Sequence, residues 1–249
     1  MNIRVLSSNS KGNCAVIKLD GGKFFMIDAG ISASQLIART ARMGVHPQDI
    51  AGILITHEHA DHAQGIKGFV QKFDIPVFAN ELTAGAIESQ FGFSLEWSLF
   101  ETGLPFGLAG AHVIPFAVPH DAVEPVGFCV SENGDRLAFI SDCGQVTEAM
   151  LAACHGAKKL IIEANYDLDM LRADESRPWK TKRRIVSVNG HLDNKDAASA
   201  ILALAPGGLE SVILGHLSQQ CNSPALAIAE TQFALEGTGF ERIAVSCAK

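Results

Sequence analysis

Residues 51–62 read AGILITHEHADH, an apolar run that ends abruptly in three imidazoles and two carboxylates. The run AGILIT has the length and composition of a buried strand. A tight turn at the end of such a strand can aim alternate side chains at one point. Neutral imidazole and carboxylate are donors that suit zinc, manganese and iron, so His57, His59, Asp61 and His62 are read as metal ligands. They are too many for one small ion that keeps an open position. The cluster therefore calls for two ions about 3.5–4 Å apart, the separation of two-metal hydrolytic sites, with His57 and His59 on one and Asp61 and His62 on the other.

Further ligands are sought where an apolar strand-like run ends in His or Asp. His120 follows VIPFAVP, Asp142 follows RLAFIS, and His216 follows SVILG. A carboxylate has two oxygens, so Asp142 is expected to bridge, with His120 completing the first ion and His216 the second.

Outward from the cluster, strands are expected at 3–6, 14–19, 24–28, 51–56, 75–79, 112–118, 126–131, 136–141, 158–164 and 211–215. Helices are expected at about 32–43, 63–72, 81–91, 193–205 and 224–236, and in QVTEAMLAA. Strand-rich halves with interposed helices predict an α/β fold of two face-to-face sheets with helices outside. No Gly-, Ser- or Pro-rich linker and no short repeat interrupts the chain, so 1–249 is read as one domain.

With 47% hydrophobic residues the 249-residue chain can build a large core. Its net charge of −7 opposes broad attraction to polyanions, although bound cations or a local basic patch can reverse the local potential. The dense basic run is Lys180, Lys182, Arg183 and Arg184 beside Trp179, suited to phosphates with an indole to stack on a base, or to a solvated charged face. Six cysteines without a C-x-x-C pair predict reduced, mostly buried thiols. Neither a leader-like N-terminal run nor a membrane-length apolar stretch is seen, and the expectation is a cytoplasmic protein.

The ordered set HEHADH, Pro119-His120, Ser141-Asp142-Cys143-Gly144 and Gly215-His216-Leu217-Ser218 resembles the metallo-β-lactamase superfamily. The resemblance spans nearly the whole chain. It implies a four-layer αβ/βα sandwich with the metals at the edge of its sheets, the first held by His57, His59 and His120, the second by Asp61, His62 and His216, and Asp142 between them. Asp142, where the β-lactamases carry Cys, points to the nuclease, glyoxalase and lactonase branches. The segments VLSSNSKGNC, HDAVEPVGF, PWKTKRRI, GHLDNKDAA and LGHLSQQCN resemble the YycJ (WalJ) group of bacterial 5′ to 3′ DNA exonucleases. Asn9 departs from an expected Gly and Asp193 from an expected Ser.

By similarity to ribonuclease Z, His191 is expected to be a catalytic acid rather than a ligand. Glu163, ending KKLIIE, is placed to orient it. Asp61 is expected to orient the attacking water as well as bind metal. Asp28 and the loop Ser7 to Asn13 resemble family features near the metal edge. The resulting expectation is a dinuclear manganese or zinc phosphodiesterase, a 5′ to 3′ DNA exonuclease of repair. Its competitors are a hydrolase of a small phosphodiester or thioester metabolite and a non-catalytic metal-binding interaction protein.

Overall fold

Residues along each strand alternate between two apolar environments, and this alternation builds the layers. The structure, a computed structural model, describes residues 1–248. The first sheet contains β1 (Asn2–Ser7), β2 (Cys14–Lys18), β3 (Phe24–Ile27), β4 (Ile50–Leu54), β5 (Val77–Ala79) and β6 (Trp97–Leu99), in that spatial order. The second runs from β7 (Phe106–Leu108) through β8 (Ala111–Ala117), β9 (Val126–Glu132), β10 (Asp135–Ile140), β11 (Lys159–Glu163) and β12 (Ser211–Gly215) to β13 (Ala244–Cys247).

Ala15, Ile17, Phe25, Ile27 and Leu54 of the first sheet pack between the layers against Val113, Phe128, Val130, Leu137, Phe139 and Ile161 of the second. Their strand neighbours face the other way, as a two-residue period requires. Val16, Met26 and Ile53 meet Leu36 of α1 (Ala33–Arg42), Ile66 and Phe69 of α3 (Ile66–Phe73), and Ile87 of α4 (Glu81–Phe91). Ala138, Ile140, Leu160, Ile162, Val212 and Leu214 meet Met150 of α5 (Glu148–Cys154), Ile201 of α8 (Asn194–Leu204) and Leu235 of α9 (Pro224–Leu235). The order is helix, sheet, sheet, helix, as expected.

Strands β3 to β6 are mutually parallel, as are β10 to β13. Parallel strands end together at one edge of each sheet, and loops at carboxyl ends are where α/β sheets place ligands. Asp28 follows β3, His57 lies just beyond β4, Asp142 follows β10, Glu163 ends β11 and His216 follows β12. The register sets Glu163 opposite Gly215, so His216 is the next residue out.

The helix expected over 63–72 differs in its bounds. Asp61 and His62 lie in a short α2 (Ala60–Ala63), and α3 begins beyond Gly65. The Gly65 amide donates to the Ala29 carbonyl at 2.8 Å, and a Cβ there would press on that oxygen, so the chain resets its direction at this contact. The short strands β6, β7 and β13, and the helices α6 (Leu168–Ala173) and α7 (Trp179–Ile185), lie outside the sequence expectations. Five cysteines are buried, Cys247 is half-buried, and all six are free thiols. No described helix is long and apolar enough to cross a membrane.

Candidate metal centre

The sheet edge gathers all seven expected ligands. Donor atoms of His57, His59, His120 and Asp142 lie within 4.8 Å of one another, as do those of Asp61, His62, Asp142 and His216. Asp142 belongs to both groups. Its Oδ2 lies 3.3 Å from His57 Nε2, 2.9 Å from His62 Nε2 and 3.8 Å from His120 Nε2. Asp61 Oδ2 is 3.6 Å from His62 Nε2 and 3.9 Å from His216 Nε2.

Each imidazole has one nitrogen engaged by a fixed oxygen and the other turned inward. His120 Nδ1 donates to the Gly190 carbonyl at 3.0 Å, and His59 Nε2 to the Asp121 carbonyl at 3.2 Å. A carbonyl only accepts, so the proton sits on those nitrogens and the opposite ones hold lone pairs. His62 Nδ1 meets Asp28 Oδ2 at 2.8 Å. Thr56 Oγ1 lies 2.9 Å from Asp28 Oδ2, to which it gives its proton, and accepts from His57 Nδ1 at 2.9 Å. Asp28 thus orients His62 directly and His57 through Thr56.

The inward Nε2 atoms of His57, His120 and His216 are buried without a hydrogen-bond partner. Burying an unpaired polar atom costs roughly 1–3 kcal/mol. Those of His57 and His120 face Asp142 and that of His216 faces Asp61, and three such atoms in one cluster fit a cation and not a protein hydrogen-bond network. The donor set of five imidazoles and two aspartates suits borderline divalent ions.

A second layer surrounds Glu163. Its Oε1 lies 2.8 Å from His191 Nδ1 and 2.6 Å from His216 Nδ1, while Oε2 accepts the amides of Cys143 at 2.8 Å and Leu192 at 3.3 Å. Glu163, Asp142, His191 and His216 also come within 4.8 Å, a third group able to hold an ion. Glu163's oxygens are already committed to amides and imidazoles, which favours an anchoring role.

Burial opposes charge on Glu163, but His191 and His216 outweigh it and hold the carboxyl down at about 2. Burial likewise disfavours the charged imidazoles. Against it, Glu163 raises His191, and Asp142 with Glu163 raises His216 to about 10. His57 goes the other way, held well below its ordinary value by burial and by the neighbouring His62. Asp142, despite full burial, is held well below the usual carboxylate range by His216 and His62.

Several supporting residues carried no signal of their own in the sequence. Asn13 Nδ2 reaches Asp61 Oδ2 at 3.2 Å and His62 Nε2 at 2.9 Å. Ser8 Oγ accepts the His216 amide at 2.6 Å, and Asn165 Nδ2 donates to the His216 carbonyl at 2.8 Å. The expected loop Ser7 to Asn13 contains two of these, whereas Asn165 and Asp121 stood unremarked. Asp28, Asp142 and His216 adopt φ of 62°, 47° and 52°, a left-handed backbone unusual for residues other than glycine. Such strain persists where surroundings fix it, typically at functional sites. Cys143 Sγ points to the Gln145 carbonyl at 3.0 Å, and burial pushes its thiol pKa up, so it is an inert neighbour of Asp142.

Trp179, Lys180, Lys182, Arg183 and Arg184 all lie on α7, outside the ligand cluster. Arg184 reaches back toward it, its Nε donating to Asp121 Oδ2 at 2.5 Å, with Asp121 Oδ1 3.3 Å from His120 Nε2.

A sandwich of this layering with a His/Asp cluster at the strand ends defines a metallohydrolase class, and the chain belongs to the metallo-β-lactamase superfamily. A model of the family described as "Beta-lactamase superfamily domain" matches residues 24–217. Within that class the chain is 36% identical to exodeoxyribonuclease YycJ of Bacillus anthracis over 244 residues, covering 96% of this chain and 91% of the relative. It is 33% identical to exodeoxyribonuclease WalJ of Streptococcus pneumoniae, covering 90% and 84%. The metallo-β-lactamase fold protein YhfI of Bacillus subtilis superposes with a TM-score of 0.75 at 13% identity, over 99% of this chain and 96% of that one. The chain is a hydrolase of this superfamily, and its named relatives support a nuclease or phosphodiesterase.

Proposed function

We infer that this protein is a dinuclear metal-dependent phosphodiesterase that degrades DNA from the 5′ end in a repair process. The orphaned, inward-facing Nε2 atoms around Asp142 carry the metal part of this reading. His57, His59 and His120 would hold one ion, Asp61, His62 and His216 the other, with Asp142 shared. Manganese or zinc bound there would acidify a water and neutralise charge gathering on the phosphoryl oxygens.

The chain's own residues supply the rest. Asp61, half-buried and held by Asn13, can accept a proton from the attacking water while it ligates. His191 stands beside the cluster, 3.9 Å from Asp142 Oδ1, yet is fixed by Glu163 through Nδ1, leaving Nε2 to serve a leaving oxygen. Glu163 favours the protonated imidazole, which is the form a general acid needs near neutral pH. The DNA assignment draws on the exodeoxyribonuclease relatives.

The test is to incubate manganese- or zinc-loaded protein with end-labelled single- and double-stranded DNA and with bis(4-nitrophenyl) phosphate. Mononucleotides released progressively from a 5′-labelled end are expected. Turnover of the small ester without DNA cleavage would instead indicate a hydrolase of small phosphodiesters.

A further inference from the structure

Helix α7 is anchored from below and charged above. Ile185 packs with Leu171 of α6, Tyr166 and Cys221 in a small core of their own. The outward residues form two adjoining hollows that share Trp179 and Arg183. One, of about 360 Å³, is lined by Leu168, Leu171, Arg172, Trp179, Lys182 and Val186 together with Arg183, and is largely apolar. The other, of about 420 Å³, is lined by Trp179, Lys180, Arg183 and Arg184. Both lie in the size range of small-molecule sites.

Trp179 is 72% exposed. An indole left in water costs stability, so nothing in the fold itself accounts for its place. The cations around it differ in their commitments. Arg184 is taken by Asp121, and Lys182 Nζ donates to the Arg172 carbonyl at 2.9 Å. Lys180 and Arg183 pair with no carboxylate among the described residues. In a chain of net charge −7 these two stand on the helix that Arg184 ties to the metal centre through Asp121.

We propose that the twin hollow on α7 binds single-stranded DNA beyond the scissile phosphate, a base entering the apolar hollow against Trp179 while Lys180 and Arg183 take the adjacent phosphates. The inference rests on the phosphodiesterase reading above. Charge complementarity selects a polyanion, and the apolar hollow with its exposed indole selects one carrying unpaired aromatic bases. Alternation of cation and stacking platform is the usual means of holding a single strand without sequence preference. A duplex keeps its bases stacked and cannot fill the apolar hollow.

The test uses metal-loaded full-length protein, short oligothymidylate DNA and bis(4-nitrophenyl) phosphate. Trp179→Leu preserves apolar contact without a stacking face, and Trp179→Phe restores one. For the Leu variant we expect roughly 10- to 100-fold weaker oligonucleotide binding and a matching rise in KM, with small-ester hydrolysis unchanged and the Phe variant intermediate. Lys180→Gln with Arg183→Gln should flatten the dependence of log affinity on log salt by about 1.4, at about 0.7 per phosphate of a single strand. Wild-type levels of DNA binding in both the Leu and double-Gln variants would overturn the proposal while leaving the nuclease reading intact. Equal loss on DNA and on the small ester would overturn it too, by showing that α7 acts through the metal centre. A wild-type protein that binds an RNA strand and not the DNA would replace the occupant named here. If the wild type hydrolyses the small ester but neither binds nor cuts any oligonucleotide, it is the underlying DNA reading that fails.

Discussion

At the scale of single residues, the site separates side chains that face the cluster from those that hold them. His191 and Asp142 are 3.9 Å apart, yet their roles should divide on substitution. His191→Ala removes a group anchored by Glu163 and should keep both metals while losing at least about 100-fold in kcat, the low end of a general acid's contribution. Asp142→Ala removes the carboxylate common to both ligand groups and should lose metal outright. Metal analysis of the purified variants decides this, and a metal-depleted His191→Ala would make that histidine a ligand. Asp28 touches no inward-facing atom but fixes His62 and, through Thr56, His57. Asp28→Asn should therefore weaken metal affinity by about 10- to 100-fold, as loss of an orienting acceptor does, measured by competition with a chromophoric chelator.

At the scale of elements, three loops are pinned together beneath the cluster by backbone alone. The Asn13 amide donates to the Asp61 carbonyl at 2.7 Å, and the Gly30 amide donates to the Asn13 carbonyl at 2.8 Å. A Cβ on Gly30 would collide with the Asp61 carbonyl and come within 2.7 Å of the Asn13 nitrogen. Backbone cannot give way as a flexible side chain can. Gly30→Ala should cost about 1–3 kcal/mol of stability and part of the bound metal. Gly21→Ala, with nothing near its Cβ, is the control for thermal unfolding. This scale also shows what the sequence could convey. Strands β4, β10, β11 and β12 are covered on both faces, so they read as continuous apolar runs, and the ligands at their ends were legible for that reason. The edge strands β6, β7 and β13 have three or four residues, too few for a period to emerge. Helix α7 reads WKTKRRI and buries only Ile185, so its charges hid its helicity. Asn165 and Asp121 acquire meaning only through contacts 51 and 63 residues away, and no local pattern announces those. Asp193, standing where Ser was expected, accepts the Asp196 amide as the N-cap of α8, a task both side chains perform.

At the scale of the whole molecule, metal and proton compete for the same buried lone pairs, which couples stability, pH and metal binding. In the metal-free protein Glu163 has its pKa depressed from 4.5 to about 2, so the stability it contributes is present above about pH 4.5 and lost as pH falls toward 2. His216 has the opposite sign. Its pKa is raised from 6.5 to about 10, so its contribution is complete below about 6.5 and lost as pH rises toward 10. These two groups thus confer a stability maximum between about pH 4.5 and 6.5 on chelator-treated protein. A proton on His216 Nε2 has no acceptor, whereas a cation there meets the lone pair of the neutral ring. Metal binding at pH 8 must therefore displace that proton, and apparent affinity should rise with pH between 7 and 9. Calorimetric titration of zinc in buffers of different ionisation enthalpy should register net proton release. The loaded protein should also lose the alkaline decline in unfolding temperature, because the ion replaces the proton whose loss causes it. Binding without proton release, or an alkaline decline unchanged by metal, would mean that His216 does not ligate.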